Sequence, residues 1–226
     1  LHAIHPETIA TIKYNYMAMV LTGLSIACSV LLIYPAIKVG VAERSRLRDM
    51  TTSLSIRSET LEQAAVTDAL TGLHNRRYFD DALQEYLAAF ARIEKPIGMI
   101  LLDLDHFKSV NDTYGHNIGD EVLREVALCL KDFTRYHDVV ARLGGGEFAV
   151  LSPNITERQI FELAERIRRA IAQIVVNAGG VSINVTVSAG IAIWDGNETG
   201  QALYGRADKQ LYVAKRNGRN QVCTAA

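Results

Sequence analysis

The stretch LLDLDHFKSVNDTYGHNIGDEVL, Leu101 to Leu123, decides how the rest of the chain is read. It continues the apolar run IGMILLD, Ile97 to Asp103, which has the length and composition of a buried strand. That strand ends in Asp103-Leu104-Asp105, so carboxylates stand at its exit, where open sheets tend to bind ligands. Alternation along a strand puts Asp103 and Asp105 on the same side. Carboxylates at such an edge suit Mg²⁺, a hard ion that prefers oxygen and is commonly shared with a substrate's phosphates. Lys108 offers a point charge to a phosphate, and Asn111 with Asp120 offers an amide and a carboxylate to the edge of a base. Taken alone, the same residues also suit a solvated loop.

Outward from this segment the chain alternates helical and strand patterns. Arg76–Phe90 and Gly119–Phe133 have helical periodicity. Val139–Leu151 reads as a hairpin turning on Gly144-Gly145-Gly146, because glycines accept the positive φ angles of a tight turn. Thr156–Val175 is an amphipathic helix opened by a good cap. Val181–Trp194 alternates as a strand, and Gln201–Asn217 closes as a helix. This order predicts an α/β fold, an α+β sandwich with an antiparallel-rich central sheet close to the ferredoxin-like plan.

The N-terminal part is different. No charged residue occurs from Tyr14 to Ile37, a run long enough to cross a bilayer as a helix. A signal peptide would have a shorter apolar region ending at a small-residue cleavage site, and a buried core helix would carry a polar face. Lys13 lies before the run, and Lys38, Arg44, Arg46 and Arg48 lie after it. Positive charge stays inside, so the larger C-terminal part is expected in the cytoplasm. From Val41 to Ala65 a polar helix carries Leu47, Leu54 and Leu61 at heptad spacing, expected for a short parallel coiled coil, although Arg57 interrupts the seam. The expected organisation is a membrane-proximal segment with a transmembrane helix (1–40), a signalling helix (41–65) and a globular domain (66–226). The chain starts at Leu1 rather than Met, as expected of a fragment of a longer protein.

With 49% hydrophobic and 22% charged residues, the composition suits a packed core. A net charge of −1 argues against a general nucleic-acid polymer as partner. Cys28, Cys129 and Cys223 are too few and too scattered for a disulfide framework or a zinc site.

Four blocks, DALTGLHNRRYF (Asp68 to Phe79), DLDHFKSVNDTYGHNIGD (Asp103 to Asp120), RLGGGEF (Arg142 to Phe148) and ADKQLYVAKRNGRN (Ala207 to Asn220), closely resemble the GGDEF family of bacterial diguanylate cyclases. They fall in the family's order and spacing. The resemblance implies a palm-type GGDEF domain that joins two GTP molecules into cyclic di-GMP, each GTP held by one subunit of a homodimer at the inner membrane of a bacterium. It makes Asp103 a metal ligand, helped by the carbonyl of Leu104, with Mg²⁺ or Mn²⁺ as the ion. Lys108 would contact phosphate or stabilise the transition state. Asn111 and Asp120 would read guanine, with His116 and Phe107 beside them, Asp120 accepting from the N1–H and the exocyclic amine. Gly144 and Gly145 would let the backbone approach the phosphates, and Lys215 and Arg219 would bind the terminal phosphates.

One position departs from the family. The turn normally reads Gly-Gly-(Asp/Glu)-Glu-Phe, and here Gly146 takes the place of the acid that ligates metal. Water is able to fill a vacated Mg²⁺ position. Glu147 is the remaining acid of the turn, but alternation along the hairpin sends it in a different direction from residue 146. Arg135-Tyr136-His137-Asp138 is an RxxD, and five residues separate it from Gly144, the spacing at which the family builds its inhibitory product site. Arg135 would meet phosphate or guanine and Asp138 would accept from guanine. Two readings stand: a diguanylate cyclase weakened or inactivated by Gly146, and a catalytically degenerate receptor or dimerisation module that still binds GTP or cyclic di-GMP.

Overall fold

A computed structural model of the chain describes residues 6–194 and 196–224. It divides into two units, Leu1–Thr60 and Leu61–Ala226. The first is dominated by one helix, α1 (Pro6–Val66), which runs through Pro35 without a break in its assignment. Its stretch Lys13–Ile33 has a mean hydropathy of 2.1 and is long and apolar enough to cross a membrane. Leu24, Leu31 and Leu32 are exposed there. The side chains of the heptad residues Leu47, Leu54 and Leu61 lie outside the described residues.

The second unit contains a six-stranded sheet with helices on both faces. After β1 (His74–Asn75) comes α2 (Arg76–Ala91), capped by Asn75, whose side chain accepts from Tyr78 N–H. Next are β2 (Ile97–Leu104), α3 (Phe107–Tyr114), α4 (His116–Phe133) and the hairpin of β3 (Val139–Gly144) and β4 (Glu147–Pro153). The chain continues through α5 (Glu157–Ile171), a small hairpin of β5 (Val175–Ala178) and β6 (Val181–Asn184), then β7 (Val187–Ile193), α6 (Gly200–Arg216) and β8 (Val222–Thr224).

The sheet order is β1-β3-β4-β2-β7-β8, and β2 is central, antiparallel to both β4 and β7. The inner four strands with α4 and α5 reproduce the ferredoxin-like plan expected from the sequence. Alternation along β2 builds the two cores. Ile100, Leu102 and Leu104 face α4 and α5, whereas Ile97, Met99 and Leu101 face α2 and α6. The same alternation delivers Asp103 to the α2/α6 face at the strand's exit.

The structure corrects two expectations in detail and adds one element. Helix α5 stops at Ile171, because Val175 and Val176 turn out into β5 rather than extending the helix. Its start is as expected: Thr156 and Gln159 form a reciprocal capping box. The alternating stretch Val181–Trp194 is two strands, not one. Its first part pairs with β5 across Gly179 and Gly180, both at positive φ, and pairing with β2 begins at Val187. Finally, the segment after Asp105 is a helix of its own, α3, entered through His106 at φ 58°. All three cysteines are free thiols, and burial beside Asp132 pushes Cys129 up to about 11, which leaves it unreactive.

Candidate active site

Asp103, Glu147 and Lys215 come together where β2 and α6 end and β4 begins. The Lys215 ammonium, in the last turn of α6, lies 3.1 Å from Asp103 Oδ2. Burial raises the Asp103 carboxyl above the ordinary carboxylate range, and neighbouring Asp105 adds to the rise. The hydrogen bond and charge of Lys215, with the charge of Arg219, oppose that shift without cancelling it. A half-buried carboxylate is thus held in the α2/α6 face by Lys215, with the charge of Arg219 nearby.

Glu147 is the direct cross-strand partner of Asp103. Partners across an antiparallel pair share a face, so Glu147 does point away from the direction of residue 146, and the face it takes is that of Asp103. Its carboxylate stands 3.7 Å from Arg76 Nη2, and the pair is half exposed. Arg76 Nε also donates to the Leu143 carbonyl at 3.2 Å.

Gly146 faces the other way. A Cβ built on it would lie 3.2 Å from Leu104 Cβ and from Phe107 Cδ1, and its carbonyl accepts from Leu104 N–H at 3.0 Å. Its φ lies outside the left-handed region that only glycine tolerates well. An acidic side chain here would project towards Leu104 and the start of α3.

Phe107 links this turn to the proposed guanine readers. It borders Gly146 on one side, and its Cζ comes within 3.4 Å of a Cβ placed on Gly119 on the other. That same Cβ would strike Asn111 Oδ1 at 1.8 Å. The absence of a side chain at residue 119 therefore lets the Asn111 amide settle against α4, beside Asp120. Both readers are half-buried, while Lys108 and His116 are exposed at the starts of α3 and α4.

The turn itself is held by residues to which the sequence reading gives no role. Arg142 donates through Nε and Nη2 to the Gly145 carbonyl at 3.1 and 3.0 Å. Its Nη1 reaches both oxygens of Asp68, at 3.2 and 3.1 Å. Asp68 also accepts from the backbone N–H and hydroxyl of Thr71. Burial works to raise the Asp68 carboxyl, but the Thr71 hydrogen bonds and the Arg142 charge outweigh it and leave it lowered. Gly145, at φ 52°, presents its carbonyl to Arg142 in a conformation that disfavours other residues.

Asp105, which the strand-edge reading offered to Mg²⁺ together with Asp103, is put to a different use by the structure. It is buried and receives the hydroxyls of Thr186 and Ser188, each at 2.7 Å, together with Asn220 N–H at 3.0 Å. A carboxylate so engaged has little left to offer an ion. The sequence signal is present in the two hydroxyl residues near the start of β7, but only the fold brings them to Asp105.

Arg135 and Asp138 are not part of this cluster. They form a closed turn in which Arg135 N–H donates to Asp138 Oδ2 at 2.7 Å and Asp138 N–H donates to the Arg135 carbonyl at 3.0 Å. The turn precedes β3, whose far end is Gly144, so about 20 Å of strand separates it from Gly146. Gly72, His74, Lys131 and Tyr136 join the pair around a shallow depression. Tyr86 fixes the turn from α2 by donating its hydroxyl to the His137 carbonyl.

Among the described residues, no three His, Cys, Asp or Glu side chains cluster to hold a metal. The donor set is the Asp103 carboxylate, paired with Lys215, with Leu104 beside it and Glu147 across the strand. That fits Mg²⁺ delivered with a nucleotide, since this ion is commonly held by one or two carboxylates plus substrate phosphates.

Residues 65–221 match the family model described as "Diguanylate cyclase, GGDEF domain". The chain is 44% identical over 163 residues to the response regulator PleD of Caulobacter vibrioides; the match covers 71% of this chain and 36% of PleD. The coiled coil and GGDEF domain of DgcB from Caulobacter crescentus, solved in complex with c-di-GMP, superposes with a TM-score of 0.73 at 36% identity, covering 80% of this chain and 98% of that one. Diguanylate cyclase SiaD from Pseudomonas aeruginosa, solved with its activator SiaC, gives a TM-score of 0.70 at 32% identity over 97% of this chain and 84% of that one. The chain thus spans about a third of PleD and belongs, through residues 65–221, to the GGDEF domain family of diguanylate cyclases.

Proposed function

We propose that this chain binds GTP and condenses two molecules of it into cyclic di-GMP and pyrophosphate, at a rate held down by Gly146. The observation that carries the reading is the pairing of Asp103 with the Lys215 ammonium at the exit of β2, next to a glycine turn whose neighbour Phe107 also borders the seat of Asn111 at Gly119. Asn111 and Asp120 hold the guanine. Lys215 and Arg219 take the terminal phosphates, which frees Asp103 from its apo partner. Lys108 meets the phosphate charge from the start of α3. When bound, Mg²⁺ or Mn²⁺ neutralises charge on the phosphates, with Asp103 and the Leu104 carbonyl as its protein ligands. The 3′-hydroxyl of each GTP attacks the α-phosphorus of the other, and each bond formed releases one pyrophosphate and one proton, so catalysis consists mainly of positioning and charge neutralisation.

Each subunit holds one GTP, so the reaction requires a homodimer. The helix from Pro6 to Val66 supplies the link: Lys13–Ile33 anchors it in the inner membrane, and the heptad leucines pair the chains. The positive flank after the span keeps the GGDEF domain in the cytoplasm. Arg135 and Asp138 bind cyclic di-GMP as an inhibitory site.

Gly146 favours a second reading, a receptor that keeps nucleotide binding and has lost turnover. The test is conversion of GTP to cyclic di-GMP by the detergent-solubilised chain carrying Arg135→Ala, with Mg²⁺ or Mn²⁺. Slow formation of product and pyrophosphate supports the enzyme. Tight GTP binding with no product supports the receptor, and no binding of either nucleotide contradicts both.

A further inference from the structure

The turn after α6 is held from one side by Asp105, two residues from Asp103, and from the other by Arg168, on a helix outside the nucleotide cluster. Gly218, Arg219 and Asn220 have φ values of 105°, 63° and 44°. Two consecutive non-glycine residues in the left-handed region are disfavoured by contact between Cβ and the backbone, so the surroundings must impose this conformation. Asn220 is where they do so. Its backbone N–H donates to Asp105 Oδ2 at 3.0 Å, and its side-chain oxygen accepts from Arg168 Nη1 at 2.7 Å.

Both partners are themselves fixed. Asp105 is 6% exposed and is oriented by Thr186 and Ser188 from β7. The Arg168 guanidinium, on α5, is gripped by both oxygens of Glu165, at 2.9 and 3.0 Å, and their side chains are only 17% and 19% exposed. Such a bidentate pair gives the guanidinium one orientation. Its Nη1, on the side away from Glu165 Oε1 and Oε2, donates to Asn220 Oδ1.

We propose that Arg168 and Asp105 are positioning residues for anion binding: they clamp Asn220 and thereby hold the turn that aims Arg219 at the terminal phosphates of the nucleotide. The inference rests on the GTP-binding reading above. Arg168 lies on a helix outside the cluster of Asp103, Lys215 and Asn111, so its contribution passes through Asn220 alone. Loss of the clamp leaves guanine recognition by Asn111 and Asp120 intact and weakens the grip on the phosphate tail.

The test compares GTP with GMP on the full chain in detergent, with Mg²⁺ present, by calorimetry. Arg168→Ala is expected to lower GTP affinity about tenfold, the usual order for losing one well-aligned interaction, while GMP affinity stays at the wild-type value. Asp105→Asn, which keeps the shape but replaces an accepting oxygen with a donor, is expected to act in the same sense. In an Asn220→Gly background, which still accepts the positive φ, Arg168→Ala should have no further effect. Equal losses for GTP and GMP, an unchanged GTP affinity, or a full additional loss in the Asn220→Gly background would each overturn the clamp. A wild-type chain that binds GMP but gains nothing from the extra phosphates also overturns it, and one that binds no guanine nucleotide overturns the GTP-binding reading as well.

Discussion

Glu147 stands directly opposite Asp103 across β2 and β4, yet its carboxylate leans to Arg76, while Asp103 takes Lys215 as its partner. Two acids on facing strands repel, and each is offset by a cation from a different helix. Each of the two acids thus has a cation of this chain as its partner.

Removing Lys215 should disturb this balance in a measurable direction. Asp103 is already raised by burial, and Lys215 is the principal group opposing the rise. In Lys215→Met the Asp103 carboxyl is expected to titrate higher still, followed by NMR of its carboxyl carbon. Because the folded value is raised, ionising Asp103 costs stability, and that cost grows as pH rises through its folded value. GTP affinity should fall by at least about tenfold in the same variant, since a phosphate partner is lost.

Asp68→Asn tests the clamp on the glycine turn. A hydrogen bond to a charged group contributes about 1.5–3 kcal/mol, and the Arg142 pair with Asp68 is mostly shielded. The variant should lose roughly that much stability at neutral pH by denaturant unfolding. The folded Asp68 carboxyl is lowered, so its contribution is complete above the ordinary carboxylate range and fades as pH falls through the folded value. The gap between variant and wild type should accordingly close in acid.

Gly119→Ala should separate recognition from folding. The added Cβ meets Asn111 Oδ1 at 1.8 Å, and the simplest relief is rotation of that amide out of its place. GTP affinity is expected to drop by about tenfold or more, as when a site loses a hydrogen bond to its ligand. The midpoint of unfolding should move much less. A displaced Asn111 with undiminished GTP binding would remove this residue from guanine recognition.

Arg135→Ala should abolish cyclic di-GMP binding at the second site while leaving GTP binding unchanged, because about 20 Å of β3 lies between the two. Equilibrium dialysis with each nucleotide gives the comparison directly.

Most of the architecture is legible in the sequence because its signals are local. The run Ile97–Leu102 is apolar without interruption, and the glycines at 144–146 mark their own turn. Where the structure departs from expectation, the deciding contact is one that alternation alone does not reveal. The pattern of Val181–Trp194 reads the same whether Val181 pairs with β2 or, as it does, with Ala178; Gly179 and Gly180 between them are the local mark of that tight turn. The site divides in the same way. Asp103, Asn111 and Asp120 sit in one quotable motif, whereas the partners of Asp105 lie at Thr186, Ser188 and Asn220, and Asp68 reaches Arg142 only through the fold.

The most direct measurement is the rate of cyclic di-GMP formation by the chain as it stands beside Gly146→Asp, both carrying Arg135→Ala. Residue 146 has a backbone that accepts a side chain, and its Cβ direction leads to Leu104 and Phe107, where contacts of 3.2 Å must relax by a few tenths of an ångström. Restoring the acid is predicted to raise the rate by about a hundred- to a thousand-fold, the usual worth of one group aimed at transition-state charge. An unchanged rate in a variant that folds and binds GTP would contradict the claim that Gly146 is what limits this site.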